Sequence, residues 1–297
     1  MMFSNEFLDK LQSVGINCVV VTAAWENGHN FRTAINRIID AHSILGGGRM
    51  CYGETVEDIL EARKNHKLAV VLQFQNTSPI EHDLRLLEVW YKLGVRVMEL
   101  TYSQRNLVGD GCDENTDTGL SNFGRSVVEE MNRIGLVVDL SHTSPMTSME
   151  AMELSKDPVI FSHSNVKALA DFSSNPSWPK RRNLTDDQIK ALAEKDGVMG
   201  IAAQSFLIKT DWEKKPPGVK DMVDHIEYVI KLVGADHVGI GLDYTECNGP
   251  PENAINSVTN IVEITADLMQ RGYSKSEIKK IMGENFLRVF KRVWKTY

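Results

Sequence analysis

Two histidines and an aspartate stand where short apolar runs end, and the ends of parallel strands are where such folds carry their chemistry. His142 follows LVVDL, His163 follows PVIFS, and Asp243 follows GIGL. Adjacent parallel strands bring their ends close enough for two imidazoles to share one metal ion, while a carboxylate takes a proton from metal-activated water. The pattern therefore predicts a hydrolytic metal site. The alternatives are loop or cap histidines and an N-cap aspartate.

An arginine pair follows the segment that contains His163. Arg181 and Arg182 precede Thr185, and the spacing of Thr185 and Gln188 indicates a capping box at a helix start. A guanidinium there could hold a substrate carboxylate through two parallel hydrogen bonds. On spacing alone, a solvated basic pair explains the two arginines equally well.

Seven apolar runs predict the strands that position these residues. They are nearly continuous in apolar residues, as expected for parallel strands covered on both faces. The predicted strands are 16–23, 68–74, 95–100, 136–140, 158–162, 197–203 and 237–242. Predicted helices between and after them include 30–44, 55–65, 80–92, 122–134, 185–195, 218–232, 253–270 and 276–294.

Seven strand–helix units and no phosphate-binding glycine motif favour a single (β/α)8 barrel over residues 1–297. One strand of the eight is then unaccounted for. The chain opens on a helix-like stretch, NEFLDKLQSVG, with only MMF before it. Either a short first strand closes the barrel, or the first strand is not in this chain.

The composition limits the partners. Lys and Arg number 33 against 40 Asp and Glu, giving a net charge of −7, so we expect neither nucleic acid nor an anionic membrane as partner. The N-terminus has no basic stretch leading into an apolar run, which predicts a cytoplasmic protein. The four cysteines form no CxxC pair, and we expect Cys18 in the core and Cys112 in an exposed loop.

Five segments together resemble the membrane (renal) dipeptidase family of the amidohydrolase superfamily, in particular its soluble bacterial branch. The similarity covers roughly residues 60–295, in order. The segments are LTYSQRNLVGDGC, GLSNFGRSVVEEMNRIGLVVDLSHTS, PVIFSHSN, RRNLTDD and HVGIGLDY.

The resemblance implies a (β/α)8 barrel with a two-zinc site that hydrolyses a dipeptide. It implies that His142 and His163 bind the second zinc. By the same resemblance, Arg182 holds the C-terminal carboxylate of the substrate, and Asp243 is the acid/base aspartate. Family members are often homodimers, so the resemblance also implies a dimer.

The sequence differs from the family pattern at three points, and each changes the implied active site. The family's His-x-Asp motif for the first zinc is absent from this sequence, although Glu26 and His29 could supply substitute ligands. Gln75 stands where the family has the glutamate that bridges the two zincs, and a neutral amide cannot bridge two dications in the same way. Tyr102 replaces the histidine that polarises the scissile carbonyl. Its phenol still donates one hydrogen bond and could contact substrate.

Three hypotheses follow. In the first, His142 and His163 hold one zinc ion, with help from Gln75 or Asp243, and the protein hydrolyses the amide bond of a dipeptide or a similar small carboxylated amide. In the second, the site serves a different small carboxylated metabolite, bound by Tyr102 and Arg182. In the third, the barrel binds a ligand without catalysis. The sequence favours the first hypothesis.

Overall fold

A computed structural model describes residues 4–25, 30–45, 48–171, 181–244 and 257–295 of the chain. Glu26 and His29 lie outside the described residues, so their assignment as substitute metal ligands stays a prediction. No helix in these described ranges is long and apolar enough to cross a bilayer.

Strands and helices alternate along the chain, and the strand pairs are parallel, as the continuous apolar runs predict. The strands are β1 Cys18–Ala24, β2 Met50–Tyr52, β3 Leu68–Phe74, β4 Val95–Glu99, β5 Val137–Asp139, β6 Ile160–Ser164, β7 Val198–Ile201 and β8 Val238–Ile240. All seven predicted strands are present. The additional strand, β2, has only three residues and is too short to give a periodic sequence signal.

The helices are α1 Asn5–Ser13, α2 Phe31–Leu45, α3 Val56–Lys64, α4 Arg85–Lys92, α5 Asn122–Ile134, α6 Pro145–Leu154, α7 Asp186–Glu194, α8 Ser205–Ile208, α9 Val219–Val233, α10 Ile261–Gln270, α11 Lys275–Lys279 and α12 Asn285–Val293. Three predicted helices differ from the structure. The one predicted over 253–270 has its first residues, 253–256, outside the described ranges, and α10 begins only at Ile261. The one predicted over 80–92 begins only at Arg85. The one predicted over 276–294 is interrupted by a π-type turn in which Gly283 has a φ of 151°.

The chain divides into two compact units, Met1–Pro158 with Phe290–Tyr297, and Val159–Val289. In the first unit, β3 is the central strand and is buried at every position. Ala69 of β3 pairs with Cys18 of β1 on one edge and with Cys51 of β2 on the other. Strand β4 continues the second edge from Leu72 onward, and β5 pairs with β4. Glu99 and Asp139 are partners in that last pairing and end their strands side by side.

The second unit contains the parallel strands β6, β7 and β8 in that order. Two glycines pack closely against the backbone of β6, because a Cβ atom at Gly200 or Gly241 would overlap the backbone carbonyl of Ser162. This contact fixes the backbone next to His163. That residues 1–297 form one domain stays a prediction.

Candidate active site

His142 follows β5 and is held by the loop that follows β4. Its backbone is in the left-handed region, with a φ of 64°, and its carbonyl accepts a 2.7 Å hydrogen bond from the backbone N–H of Cys112. The Nδ1 atom lies 3.0 Å from the hydroxyl of Ser103. The ring of Tyr102 stacks on the imidazole, with 4.2 Å between centroids and 19° between planes. The side chain is therefore restrained on its face and at one nitrogen.

The loop around His142 is tightly packed. Gly111 forms a bridge with Thr143, and a Cβ atom at Gly111 would overlap the backbone of Tyr102 and Ser103. Cys112, expected to be an exposed loop residue, is instead 1% exposed. That expectation was wrong because the loop folds back on the end of β5. A residue in this loop can therefore be buried.

Two buried carboxylates lie at the ends of β4 and β5. The side-chain amide of Gln73 donates to Glu99 at 3.2 Å and to Asp139 at 3.0 Å. Oxygens of the two carboxylates lie within 4.8 Å of each other, and both residues are 0% exposed. Asp139 also accepts a 3.0 Å hydrogen bond from the backbone N–H of Ser141, so it caps the turn that follows β5.

Sequence reasoning missed Glu99 and Gln73 as site residues. Their signal was present, because each is a polar side chain inside a run that is otherwise apolar, VRVMEL and LAVVLQF. A charged group in a fully buried strand is costly unless it is paired or binds an ion, so its position alone indicates a role.

The donor set of the first unit fits a divalent cation. Two like charges this close in the interior repel each other, and a bound cation offsets both charges. Carboxylate oxygens and imidazole nitrogens are ordinary ligands of zinc. Gln75, the predicted third ligand, is half-buried directly after β3, and its backbone N–H donates to Ala24 at 2.7 Å.

The second unit contains His163, Arg182 and Asp243. His163 lies in β6, is 4% exposed, and has its Nδ1 atom 2.7 Å from the hydroxyl of Ser162. Burial lowers the pKa of His163 well below its ordinary value, and the positive charge of Arg182 lowers it further. A neutral imidazole is the form that binds a metal ion.

Arg182 is buried rather than solvated, which excludes the surface-pair alternative for this arginine. It donates from Nη1 to the Ser164 hydroxyl at 2.8 Å and from Nη2 to the His163 carbonyl at 2.7 Å. Each terminal nitrogen carries two N–H groups, so each keeps a second donor. The predicted capping box of α7 is confirmed, since Thr185 and Gln188 bond to each other's backbone N–H.

Asp243 follows β8 and also has a left-handed backbone, with a φ of 51°. The side-chain amide of Gln204 donates to its carbonyl at 2.7 Å and holds this conformation. Burial raises the pKa of Asp243 to about 6, although Arg182 and Gln204 act to lower it. A carboxyl group with a pKa near 6 is able to accept and return a proton close to neutral pH.

His225, to which the sequence assigns no role, is a buried structural residue of the same unit. Its Nδ1 atom accepts from the backbone N–H of Val166 at 3.0 Å, and Nε2 lies 3.0 Å from the carbonyl of Ile208. Burial lowers its pKa to about 4, against the hydrogen bond to Ile208 that acts to raise it. His225 thus fixes the segment that follows β6.

The sequence model of the membrane dipeptidase family, peptidase family M19, matches residues 7–296. The chain belongs to the membrane dipeptidase family. The resemblance seen in the sequence is therefore confirmed, and it extends over nearly the whole chain.

Curated members of this family include dipeptidases from two fungi. The chain is 32% identical to dipeptidase tcpJ of Claviceps purpurea over 87% of its own length and 58% of that protein. It is 31% identical to dipeptidase verJ of Clonostachys rogersoniana over 93% of its own length and 68% of that protein. The chain thus spans less than two thirds of the Claviceps protein.

A solved structure shares the fold. An amidohydrolase from Pseudomonas aeruginosa superposes with a TM-score of 0.87 at 29% identity, covering 99% of this chain and 94% of that one. This similarity confirms the predicted α/β fold of the TIM-barrel type.

Proposed function

We propose that this membrane dipeptidase family member is a metal-dependent hydrolase that cleaves the amide bond of a dipeptide or a similar small carboxylated amide. The observation that carries the proposal is the buried carboxylate pair, Glu99 and Asp139, joined by the amide of Gln73. Two buried like charges at strand ends are an arrangement that a divalent cation stabilises.

We assign the metal ligands from two sources. The family pattern supplies His142 and His163, with Gln75 at the position of the bridging glutamate. Glu99 and Asp139 add the negative charge that Gln75 lacks. One zinc ion accounts for this set better than two, because an amide is a poor bridge between dications. A bound zinc ion supplies a water that ionises near neutral pH.

Asp243 performs the proton transfers in this proposal. With a pKa of about 6 it is largely ionised at neutral pH, and it accepts a proton from the attacking water. The same carboxyl group then returns the proton to the leaving amine. Gln204 keeps the Asp243 backbone in the conformation that presents the side chain.

Arg182 and Tyr102 bind substrate. The second N–H groups of Arg182 Nη1 and Nη2 suit a bidentate contact with the substrate's terminal carboxylate. Their other N–H groups bond to Ser164 and the His163 carbonyl, which orients the guanidinium. The phenol of Tyr102 donates a hydrogen bond to the scissile carbonyl, while its ring packs on His142.

A second candidate function has the same hydrolytic chemistry but a different substrate. Gln75 and Tyr102 both replace ionisable family residues by neutral ones, which favours a narrower carboxylated amide over a broad range of dipeptides. The homodimer and the cytoplasmic location stay predictions.

The test is hydrolysis of a dipeptide panel by the zinc-loaded protein, with C-terminally amidated dipeptides and N-acylated amino acids alongside. We expect cleavage that a chelator abolishes and that requires a free substrate carboxylate. Cleavage of N-acylated amino acids alone would favour the second candidate. Chelator-resistant cleavage, or none of any substrate, would contradict the metal-dependent hydrolase.

A further inference from the structure

The two histidines proposed as metal ligands share one structural feature that does not follow from membership of the family. In each, the Nδ1 atom lies within hydrogen-bonding distance of a serine hydroxyl, at 3.0 Å for His142 with Ser103 and 2.7 Å for His163 with Ser162. The serines come from different places, a loop after β4 and strand β6 itself. The same contact is therefore built twice by unrelated pieces of chain.

A neutral imidazole has one N–H and one lone pair, and the group at one nitrogen decides what the other nitrogen offers. If a hydroxyl accepts from Nδ1–H, the Nε2 lone pair is left to bind a metal ion. If the hydroxyl instead donates to Nδ1, then Nε2 carries the proton and cannot be a ligand. Metal-binding histidines are usually oriented by an acceptor at the second nitrogen.

We propose that Ser103 and Ser162 are positioning residues: Ser103 accepts a hydrogen bond from Nδ1–H of His142 and Ser162 accepts one from Nδ1–H of His163, so that each histidine offers Nε2 as its metal-binding atom. This inference rests on the proposed function. It goes beyond that function by naming the ligating atoms and the hydroxyls that select them.

The surroundings of both serines hold the hydroxyls in place. The Ser103 carbonyl accepts a 2.8 Å hydrogen bond from the backbone N–H of Asp113, and Gly111 packs so closely that a Cβ atom there would overlap the Ser103 backbone. Ser162 lies within β6, where Gly200 and Gly241 pack against its carbonyl. A hydroxyl with a fixed backbone orients an imidazole at a low cost in side-chain entropy.

A hydroxyl also differs from the carboxylate that often fills this position. It carries no charge, so it orients the ring without adding to the negative charge of Glu99 and Asp139. It is also both donor and acceptor, so it can follow the imidazole from one tautomer to the other when the ion binds or leaves.

Zinc affinity provides the first test, measured by competition with a chromophoric chelator. We expect Ser103→Ala and Ser162→Ala each to weaken zinc binding about 10- to 100-fold, the usual cost of losing an outer-shell partner. Ser103→Thr and Ser162→Thr, which keep the hydroxyl, should restore most of the affinity. The control is Ser148→Ala, which removes a hydroxyl that donates to the Pro145 carbonyl at 2.8 Å in α6 and should leave the affinity unchanged.

Ring-nitrogen NMR of the ¹⁵N-histidine-labelled protein provides the second test. With zinc bound, we expect both histidines to carry the proton on Nδ1 and to show a metal shift on Nε2. Protons on Nε2, or alanine variants that bind zinc as tightly as wild type, would overturn the serine assignment while leaving the hydrolase proposal standing. A wild-type protein that binds no zinc at all would overturn both.

Discussion

The two units of the chain carry different charges at the ends of their strands. In the first unit, Glu99 and Asp139 are buried carboxylates joined by the neutral Gln73 amide. In the second, Arg182 brings a buried positive charge that acts on the pKa of both His163 and Asp243. The carboxylates of the first set suit a cation, whereas the guanidinium of Arg182 in the second set suits an anionic group of a substrate.

In the proposed function, buried carboxylates of the first unit compensate for family ligands that the sequence lacks. Gln75 and Tyr102 remove charge at two family positions, whereas Glu99 and Asp139 supply buried carboxylates at neighbouring strand ends. Substitution of Glu99 or Asp139 should therefore lower metal affinity, whereas substitution of Arg182 or Asp243 should lower substrate affinity or turnover.

The largest effect should come from Asp243→Asn in the second unit. An amide cannot accept and return a proton, so we expect turnover to fall about 10²- to 10⁴-fold. Steady-state kinetics together with metal analysis checks this, because the variant should keep its metal. Turnover at the wild-type rate would show that another group transfers the proton.

Glu99→Gln should give the next largest effect and should act on the metal. The change keeps the side-chain shape but removes one of two neighbouring charges, and we expect zinc affinity to fall at least about 100-fold, more than the loss of a group that only orients a ligand. The metal-free protein should be as stable as wild type or more so, because the repulsion between the carboxylates is relieved. Zinc titration and thermal unfolding measure the two parts.

Glu129→Gln, an exposed change on α5, is the matched control and should alter neither quantity. If the Glu99→Gln variant bound zinc normally and its metal-free form were less stable than wild type, the role of the carboxylate pair would be structural. The proposed difference between the strand ends of the two units would then be wrong.

Arg182→Lys should raise KM about 10-fold for substrates with a free carboxylate, because lysine keeps the charge but loses the planar fork. Amidated substrates should show little further loss, since they have no carboxylate to hold. The comparison of KM for matched free and amidated dipeptides is the measurement. A change in turnover of every substrate at constant KM would refute the carboxylate contact.

The smallest effect should appear in the pH dependence of stability. Because the pKa of Asp243 is raised from 3.8 to about 6, the folded protein binds this proton more tightly than the unfolded chain does. Stability from this group is therefore greatest below pH 4 and falls as pH rises from about 4 to about 6. The free energy of unfolding of metal-free wild type, minus that of Asp243→Asn, should decline over this interval. A difference that rises or stays flat would contradict the raised pKa.

Much of the fold follows from local patterns in the sequence. Continuous apolar runs predict seven of the eight strands found in the described residues, and the capping box at Thr185 predicts the start of α7. Strand β2 is not predicted because three residues are too few to show a periodic pattern. The interruption of the helix at Gly283 is not predicted because the neighbouring residues continue a helical pattern.

The site is predictable only in part, for a physical reason. His142, His163 and Asp243 stand at strand ends and are visible in the sequence. Contacts from residues distant in the chain are not visible, because they depend on register and on loops that fold back. Gln73 reaches Asp139 across 66 residues, and Ser103 reaches His142 across 39.

The most direct test of the account is the metal content per chain of protein purified without chelator, measured for wild type and for His142→Ala. We expect about one equivalent of zinc in the wild type and its loss in the variant. Absence of metal from the wild type, or an equal content in both proteins, would contradict it.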